Sequence, residues 1–303
     1  MRIVSLLPSA TEMVYALGLG DQLVGVTHEC DYPRAALSLP KVVKAALDLA
    51  DMTQAQIDAA VTARLREGKT LYEVDEQLLD QLAPDLILTQ DLCQVCAPSG
   101  NELSRAVLTL RKKPQLIWMT PRDLKGVQDN IRVLAEATNA KLAATQLLSD
   151  WDVRIAKVKA ASQKLTQRPR TFCFEWIDPV FCAGHWIPEM VRLAGGDENL
   201  GREGGESVRI PWSDVLAHQP DMILIMSCGY PMHTALEQAQ LIRKLDGIAD
   251  LPAARNDKIY VLDSNALYAR PGPRLVDGTE LLSHLITGAS WTGDTNHFAK
   301  FTV

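Results

Sequence analysis

The chain has 303 residues, 22% of them charged and 47% hydrophobic, with a formal net charge of −6. That length has room for two hydrophobic cores, and the acidic balance argues against a nucleic-acid or anionic-membrane surface. No apolar run is long enough to cross a bilayer. Met1-Arg2 leads into a short apolar stretch closed by Pro8 rather than into a secretory leader, so the expectation is a cytoplasmic protein whose six cysteines are thiols or ligands.

Ile3–Leu7 reads as a buried strand, and Pro8-Ser9-Ala10-Thr11-Glu12 opens a helix with Ser9 as its expected N-cap and Glu12 completing a capping box. Leu23–Thr27 is a second strand, followed by a loop with His28, Glu29 and Cys30. The spacing of Ile57, Val61 and Leu65 predicts a surface helix over 52–67, in an insertion at about 45–70. A helix over 75–82 precedes the strand Asp85–Thr89, whose loop carries Gln90, Cys93 and Cys96. Gln115–Met119 is a further strand and Leu124–Ala137 a helix.

From 139 to 166, Ala144, Leu148, Trp151, Ile155, Val158, Ser162 and Leu165 step by four and three, which predicts one unbroken helix. It reads as a rigid strut, with a coiled-coil dimer seam as the alternative. Beyond it, Thr171–Trp176, Met222–Met226 and Lys258–Leu262 are strands, with helices near 187–194, 212–217, 236–243 and 275–286 and a poorly tied tail over 289–303. Strands alternating with helices mean an α/β fold with parallel sheets.

The chain also repeats itself. Glu12-Met13-Val14 through Leu23-Val24-Gly25 answers Glu189-Met190-Val191 through Asn199-Leu200-Gly201, and Leu82-Ala83-Pro84-Asp85-Leu86-Ile87-Leu88 answers His218-Gln219-Pro220-Asp221-Met222-Ile223-Leu224. Two copies in the same order predict two Rossmann-like lobes, 1–138 and 168–288, joined by a linker helix over 139–167, with a ligand cleft between them.

Open parallel sheets bind ligands at the carboxyl ends of their strands. The residues expected there are Glu175, Trp176, His185, Trp186, Tyr230, Tyr268 and Arg270. Aromatic rings suit a flat macrocycle, His185 suits a metal centre or a capping role, and Arg270 suits a carboxylate or phosphate or stands solvated in a turn. Cys93-x-x-Cys96, completed by His28 and Cys30, suits zinc or an iron–sulfur cluster, and its alternatives are a redox dithiol or plain structural thiols. No Gly-x-Ser-x-Gly elbow, phosphate loop or His-Glu-x-x-His helix occurs, so an enzyme is not expected.

The Arg2-Ile3-Val4-Ser5-Leu6-Leu7-Pro8-Ser9-Ala10-Thr11-Glu12 opening, Val24-Gly25-Val26 with Asp31-Tyr32-Pro33, and the two Pro-Asp-apolar strands resemble the helical-linker (class III) substrate-binding proteins, nearest their cobalamin-binding branch. The resemblance spans roughly 1–286. It implies a clamp around cobalamin or another metal-bearing cofactor. With no export signal in view, the leading expectation is an intracellular trafficking or sensing protein. An ABC-importer component and a thiol or metal redox enzyme using Cys93 and Cys96 are the alternatives. By the same resemblance, Gln90 and Glu29 stand where relatives carry a tryptophan and a tyrosine. At the two helix starts where relatives present an acidic residue to a permease, this chain holds Glu76 or Gln77 and Ser213 or Asp214.

Overall fold

Each half of the chain places an arginine just before its first strand, and each arginine closes onto the aspartate of a Pro-Asp-apolar repeat. The computed structural model describes residues 1–49, 51–90, 107 and 110–303. They form two units, Met1–Pro121 with Lys125–Leu148, and Arg122–Leu124 with Ser149–Val303.

In the first unit, β1 (Ile3–Ser5), β2 (Leu23–Thr27), β3 (Lys41–Ala45), β4 (Tyr72–Val74), β5 (Leu86–Thr89) and β6 (Gln115–Trp118) make one sheet in the order β4-β3-β2-β1-β5-β6. Every neighbouring pair is parallel except β3 with β4. The second unit adds β7 (Thr171–Trp176), β8 (Phe181–Cys182), β9 (Gly184–His185), β10 (Arg202–Glu203), β11 (Met222–Ile225), β12 (Ile259–Leu262) and β13 (Phe298–Lys300). Its main sheet runs β13-β12-β11-β7-β8, with a parallel centre and antiparallel edges, and β9 pairs with β10 alone. The continuous apolar runs of β5 and β11 are buried along their whole length, as parallel strands covered on both faces require.

The arginines set the register of the central strands. The Arg2 backbone N–H donates to Asp85 Oδ2 at 2.6 Å and its Nε to the Leu82 carbonyl at 2.6 Å. In the second unit the Arg170 N–H and Nε each donate to Asp221 Oδ2 at 3.0 Å, Nη2 to Oδ1 at 2.9 Å and Nη1 to the His218 carbonyl at 3.2 Å. The residue just before each proline, Ala83 (φ 43°) and Gln219 (φ 51°), ends its helix in the left-handed conformation. The two Pro-Asp repeats are therefore the same local structure.

The other repeated pair also matches. The helices Pro8–Ala16 and Ile187–Ala194 are followed by left-handed Gly18 (φ 74°) and Gly195 (φ 104°). At Gly195 it is the positive φ that favours glycine; a Cβ there would also press on the end of the Leu165 side chain at 2.7 Å. The expected Ser9 cap is not present. Leu7 is the N-cap, its side chain makes no capping bond, and Pro8 holds the first helical turn, where a missing N–H costs nothing.

The long helix is Lys141–Ser162, 22 residues, shorter at both ends than the periodicity predicts. Asn139 at φ 56° separates it from the helix Leu124–Ala137. Ala144, Leu148, Trp151, Ile155, Val158 and Ser162 form its buried stripe, and it passes without a break from the first unit into the second. Arg154 fixes its second half, donating from Nε to Glu280 Oε1 at 2.9 Å and also to Asp277, both on the helix Leu275–Thr287.

The insertion in the first unit is the helix Gln54–Arg66, opened by a Thr53–Gln56 capping box, with Val61 and Leu65 packed against the core of that unit. The tail is tied down, contrary to expectation. The Trp291 ring stacks on His284 at 6.1 Å, β13 pairs with β12, and Phe301 is buried. Three residues are too short a strand to show a period, yet an apolar strand such as β12 needs a partner on its open edge.

Arg154→Met keeps the apolar stem and removes both ion pairs. It should lower the unfolding free energy of the second unit by about 1–2 kcal/mol, read as a lower urea midpoint with an unchanged slope. An unchanged midpoint would mean that helix packing alone sets the attachment.

Candidate functional site

In a parallel sheet the carboxyl ends of the strands carry loops that are free to hold a ligand. At that edge of the second sheet, β7 ends in Glu175 and Trp176. The Trp176 ring stacks on Tyr230, in the loop after β11, with centroids 5.2 Å apart and planes at 30°. The Trp176 Nε1 and the hydroxyl of Ser227, two residues past β11, are buried and have no hydrogen-bond partner among the described residues. Such groups cost free energy unless something satisfies them. Glu175 accepts from the Ser207 hydroxyl at 2.9 Å and the Gly184 N–H at 3.3 Å. Burial pushes its carboxyl up, and those two donors pull it partly back.

His185 lies on the short strand β9 in the left-handed conformation (φ 53°), held by its N–H to the Gly205 carbonyl at 2.6 Å. Its Nε2 also lacks a partner, and burial pushes the imidazole down, toward the neutral form that ligates metals. Trp186 and Tyr268, expected to face a ligand, are instead interior. Trp186 is 4% exposed and Tyr268 1%. The Trp186 Nε1 donates to the Tyr268 carbonyl at 2.8 Å, and the Tyr268 hydroxyl to the Gly278 carbonyl at 3.1 Å. A buried indole N–H or phenol finds a protein partner when no ligand supplies one, which is why these two pack together. Arg270 is nearly buried in the following turn.

Beside β9 and β10, Glu198 accepts the Gly201 N–H through both oxygens at 2.9 and 2.7 Å. Burial still dominates and pushes its carboxyl up to about 7. The sequence reading did not select Glu198, because it lies inside a repeat read for its fold.

The first sheet has its own carboxyl edge. Thr89 closes β5 with its hydroxyl buried and without a hydrogen-bond partner among the described residues, Gln90 follows it in a buried position, and Trp118, paired with Thr89, is 41% exposed. Thr89 and Trp118 were not selected from sequence. A polar residue closing an apolar strand was the available signal for Thr89. Glu29 is exposed, with its N–H on Thr27 Oγ1 at 2.9 Å.

The proposed metal set does not assemble among the described residues. Cys30 is fully buried, with Sγ 3.1 Å from Thr11 Oγ1, and burial raises its pKa so that it remains a thiol. His28 is exposed, with Nδ1 3.2 Å from the Val43 carbonyl. The chain turns at this point, with the Cys30 N–H on the Thr27 carbonyl at 3.3 Å, so Cys30 is carried into the interior while His28 stays at the surface. Cys93 and Cys96 lie outside the described residues. Among the described residues no group of three or more His, Cys, Asp or Glu side chains is arranged to hold a metal ion, and no helix is long and apolar enough to cross a membrane.

Two α/β units with a long helix running from one into the other define the helical-linker type of substrate-binding protein. The chain belongs to the periplasmic binding protein family, whose sequence profile matches residues 3–266. It is 27% identical over 283 residues to the vitamin B12-binding protein of Vibrio cholerae serotype O1, covering 92% of this chain and 86% of that one. The crystal structure of the V. cholerae periplasmic vitamin B12 binding protein BtuF superposes with a TM-score of 0.67 at 25% identity, covering 94% and 95% of the two chains. An ABC transporter substrate-binding lipoprotein of Bacillus subtilis, YvrC, is 25% identical over 94% of this chain and 79% of its own. A periplasmic heme binding protein from Pseudomonas aeruginosa shares the fold at a TM-score of 0.73 and 21% identity, covering 100% and 98%.

The chain is thus a substrate-binding protein and not an enzyme, which removes the redox reading of Cys93 and Cys96. The cytoplasmic expectation and the trafficking role built on it are overturned as well. The relatives are periplasmic proteins or a lipoprotein, and an apolar strand beginning at Ile3 carries no information about cellular address.

Glu198 gives a pH signature. Unfolded, its carboxyl ionises near 4.5; folded, near 7. Between those values the folded chain holds the extra proton, so stability falls as pH rises through this window and levels off above it. Relative to Glu198→Gln, the protein should lose on the order of 3 kcal/mol from pH 4.5 to 8. Parallel stability–pH curves for the two proteins would show that Glu198 titrates normally.

Proposed function

We propose that this chain is the substrate-binding component of an ABC importer and that its ligand is a corrinoid of the cobalamin type. The observation that carries the reading is the Trp176–Tyr230 stack at the carboxyl edge of the second sheet, next to the unpartnered Trp176 Nε1 and Ser227 hydroxyl. A corrin ring offers broad apolar faces and a rim of amides. Aromatic faces match the first, and orphaned donors and acceptors match the second. The likeness to the V. cholerae vitamin B12-binding protein along 92% of the chain supports the same choice. Glu76 and Asp214 are our candidates for the permease contact. Each is an exposed acid in the first turn of the helix that precedes a Pro-Asp repeat, where a partner's basic side chains reach it easily.

An iron porphyrin is the second reading. It is favoured by the neutral, unpartnered imidazole of His185, which suits an axial bond to iron, and by Arg270 as a partner for propionates.

Titration with cobalamin should quench the tryptophan emission, and Trp176→Ala should weaken binding about tenfold or more. Unchanged emission and no heat of binding with cobalamin or its corrinoid precursors would exclude the corrinoid. A shifted Soret band on adding haem, lost in His185→Ala, would establish the porphyrin in its place.

A further inference from the structure

The C-terminal strand does more than cover an edge. It begins at the ligand edge of the second sheet, antiparallel to β12, and it is joined there by a side chain. Asp263 is the first residue after β12. Its backbone N–H donates to the His297 carbonyl at 2.9 Å. Its side chain then divides its two oxygens. Oδ1 accepts the Ala266 N–H at 3.0 Å, capping the short helix Ser264–Leu267. Oδ2 lies 3.0 Å from His297 Nδ1. A carboxylate accepts, so the ring Nδ1 donates.

That capped helix leads into Tyr268 and Arg270. The Tyr268 and Ala269 amides return to the Ser264 carbonyl at 2.9 and 2.8 Å. The Tyr268 carbonyl receives the Trp186 indole at 2.8 Å, and the Trp186 ring lies 5.3 Å from that of His185. An unbroken set of contacts therefore runs from His297 through Asp263 and Tyr268 to Trp186 and His185, all within the second unit. His297 is itself held in place. It starts the segment that becomes β13, and the next residue, Phe298, packs edge-on to Trp291 at 5.9 Å. The family match stops at residue 266, so this strap lies outside what the family profile describes.

We propose that His297 is a positioning residue. Its donation to Asp263 holds the turn 264–270, and with it Arg270 and the Trp186–His185 pair, in the conformation that binds ligand. The part about ligand rests on the function proposed above; the part about the turn does not.

Two substitutions separate the hydrogen bond from bulk. His297→Phe keeps a ring and loses the donor. His297→Asn loses the ring and keeps an N–H at nearly the position of Nδ1. Hydrogen exchange of the unliganded protein is read at the amides of Ala266, Leu267, Tyr268 and Ala269. Exchange there should rise about tenfold in His297→Phe and stay near the wild-type rate in His297→Asn, with the β7 and β11 amides unchanged in both. Cobalamin affinity should follow the same order, weakened about fivefold by Phe and retained by Asn. Slow exchange at 266–269 in the Phe variant, or fast exchange in the Asn variant, would overturn the proposal, since packing would then hold the turn. Altered exchange with unchanged cobalamin affinity would overturn the link to the site. If the wild-type protein binds no cobalamin, the ligand reading fails, and the exchange data still decide the turn.

Discussion

Two buttoned strand pairs hold this structure in register. In each unit an arginine at the foot of the first strand reaches the aspartate at the foot of its parallel neighbour, and the same arginine also takes a carbonyl from the helix that precedes that aspartate. Parallel strands have no hairpin to fix their alignment, and a slip of one residue would turn every side chain to the wrong face. The pairings Ile3 with Leu86 and Thr171 with Met222 follow directly from these contacts. Arg170 forms an ion pair with Asp221, whereas Asp85 takes only the backbone N–H of Arg2 and is ion-paired by Lys112, and both aspartates are held below the usual carboxylate range by these partners. Each pair is solvent-accessible, so its energy is modest; its contribution is alignment.

Alignment at the foot of the strands determines what appears at the other end. With β5 and β11 fixed, Thr89 closes one strand and Ser227 lies two residues past the other, each with a buried hydroxyl that has no hydrogen-bond partner among the described residues. The Trp176–Tyr230 stack depends on the same register, because β7 and β11 must end level for the two loops to meet. The level strand ends at the binding edge thus go with the hydrogen bonds and ion pairs at the opposite edge.

The sequence made the fold legible because the fold is written in periodic patterns and in a repeat. The stripe from Ala144 to Ser162 predicted the long helix, and the paired Pro-Asp segments predicted two similar sheets. The site was less legible because loops have no period. Nothing in the sequence tells Trp176, which stacks on a loop tyrosine, from Trp186, which is interior and bonded to a backbone carbonyl. His28 and Cys30 looked like a ligand pair because they are close in sequence, but the turn that follows β2 buries Cys30 and leaves His28 exposed. β13 was missed because three residues carry no pattern, and its pairing depends on an aromatic cluster assembled from distant segments.

The late position of β13 bears on how the protein is made. During synthesis β7, β11 and β12 leave the ribosome well before residues 298–300. Until those residues arrive, β12, with Ile259, Val261 and Leu262 buried in the finished fold, is a bare apolar edge. Such an edge is a template for pairing with another nascent chain. The second unit is therefore open to edge-to-edge pairing until its last strand docks.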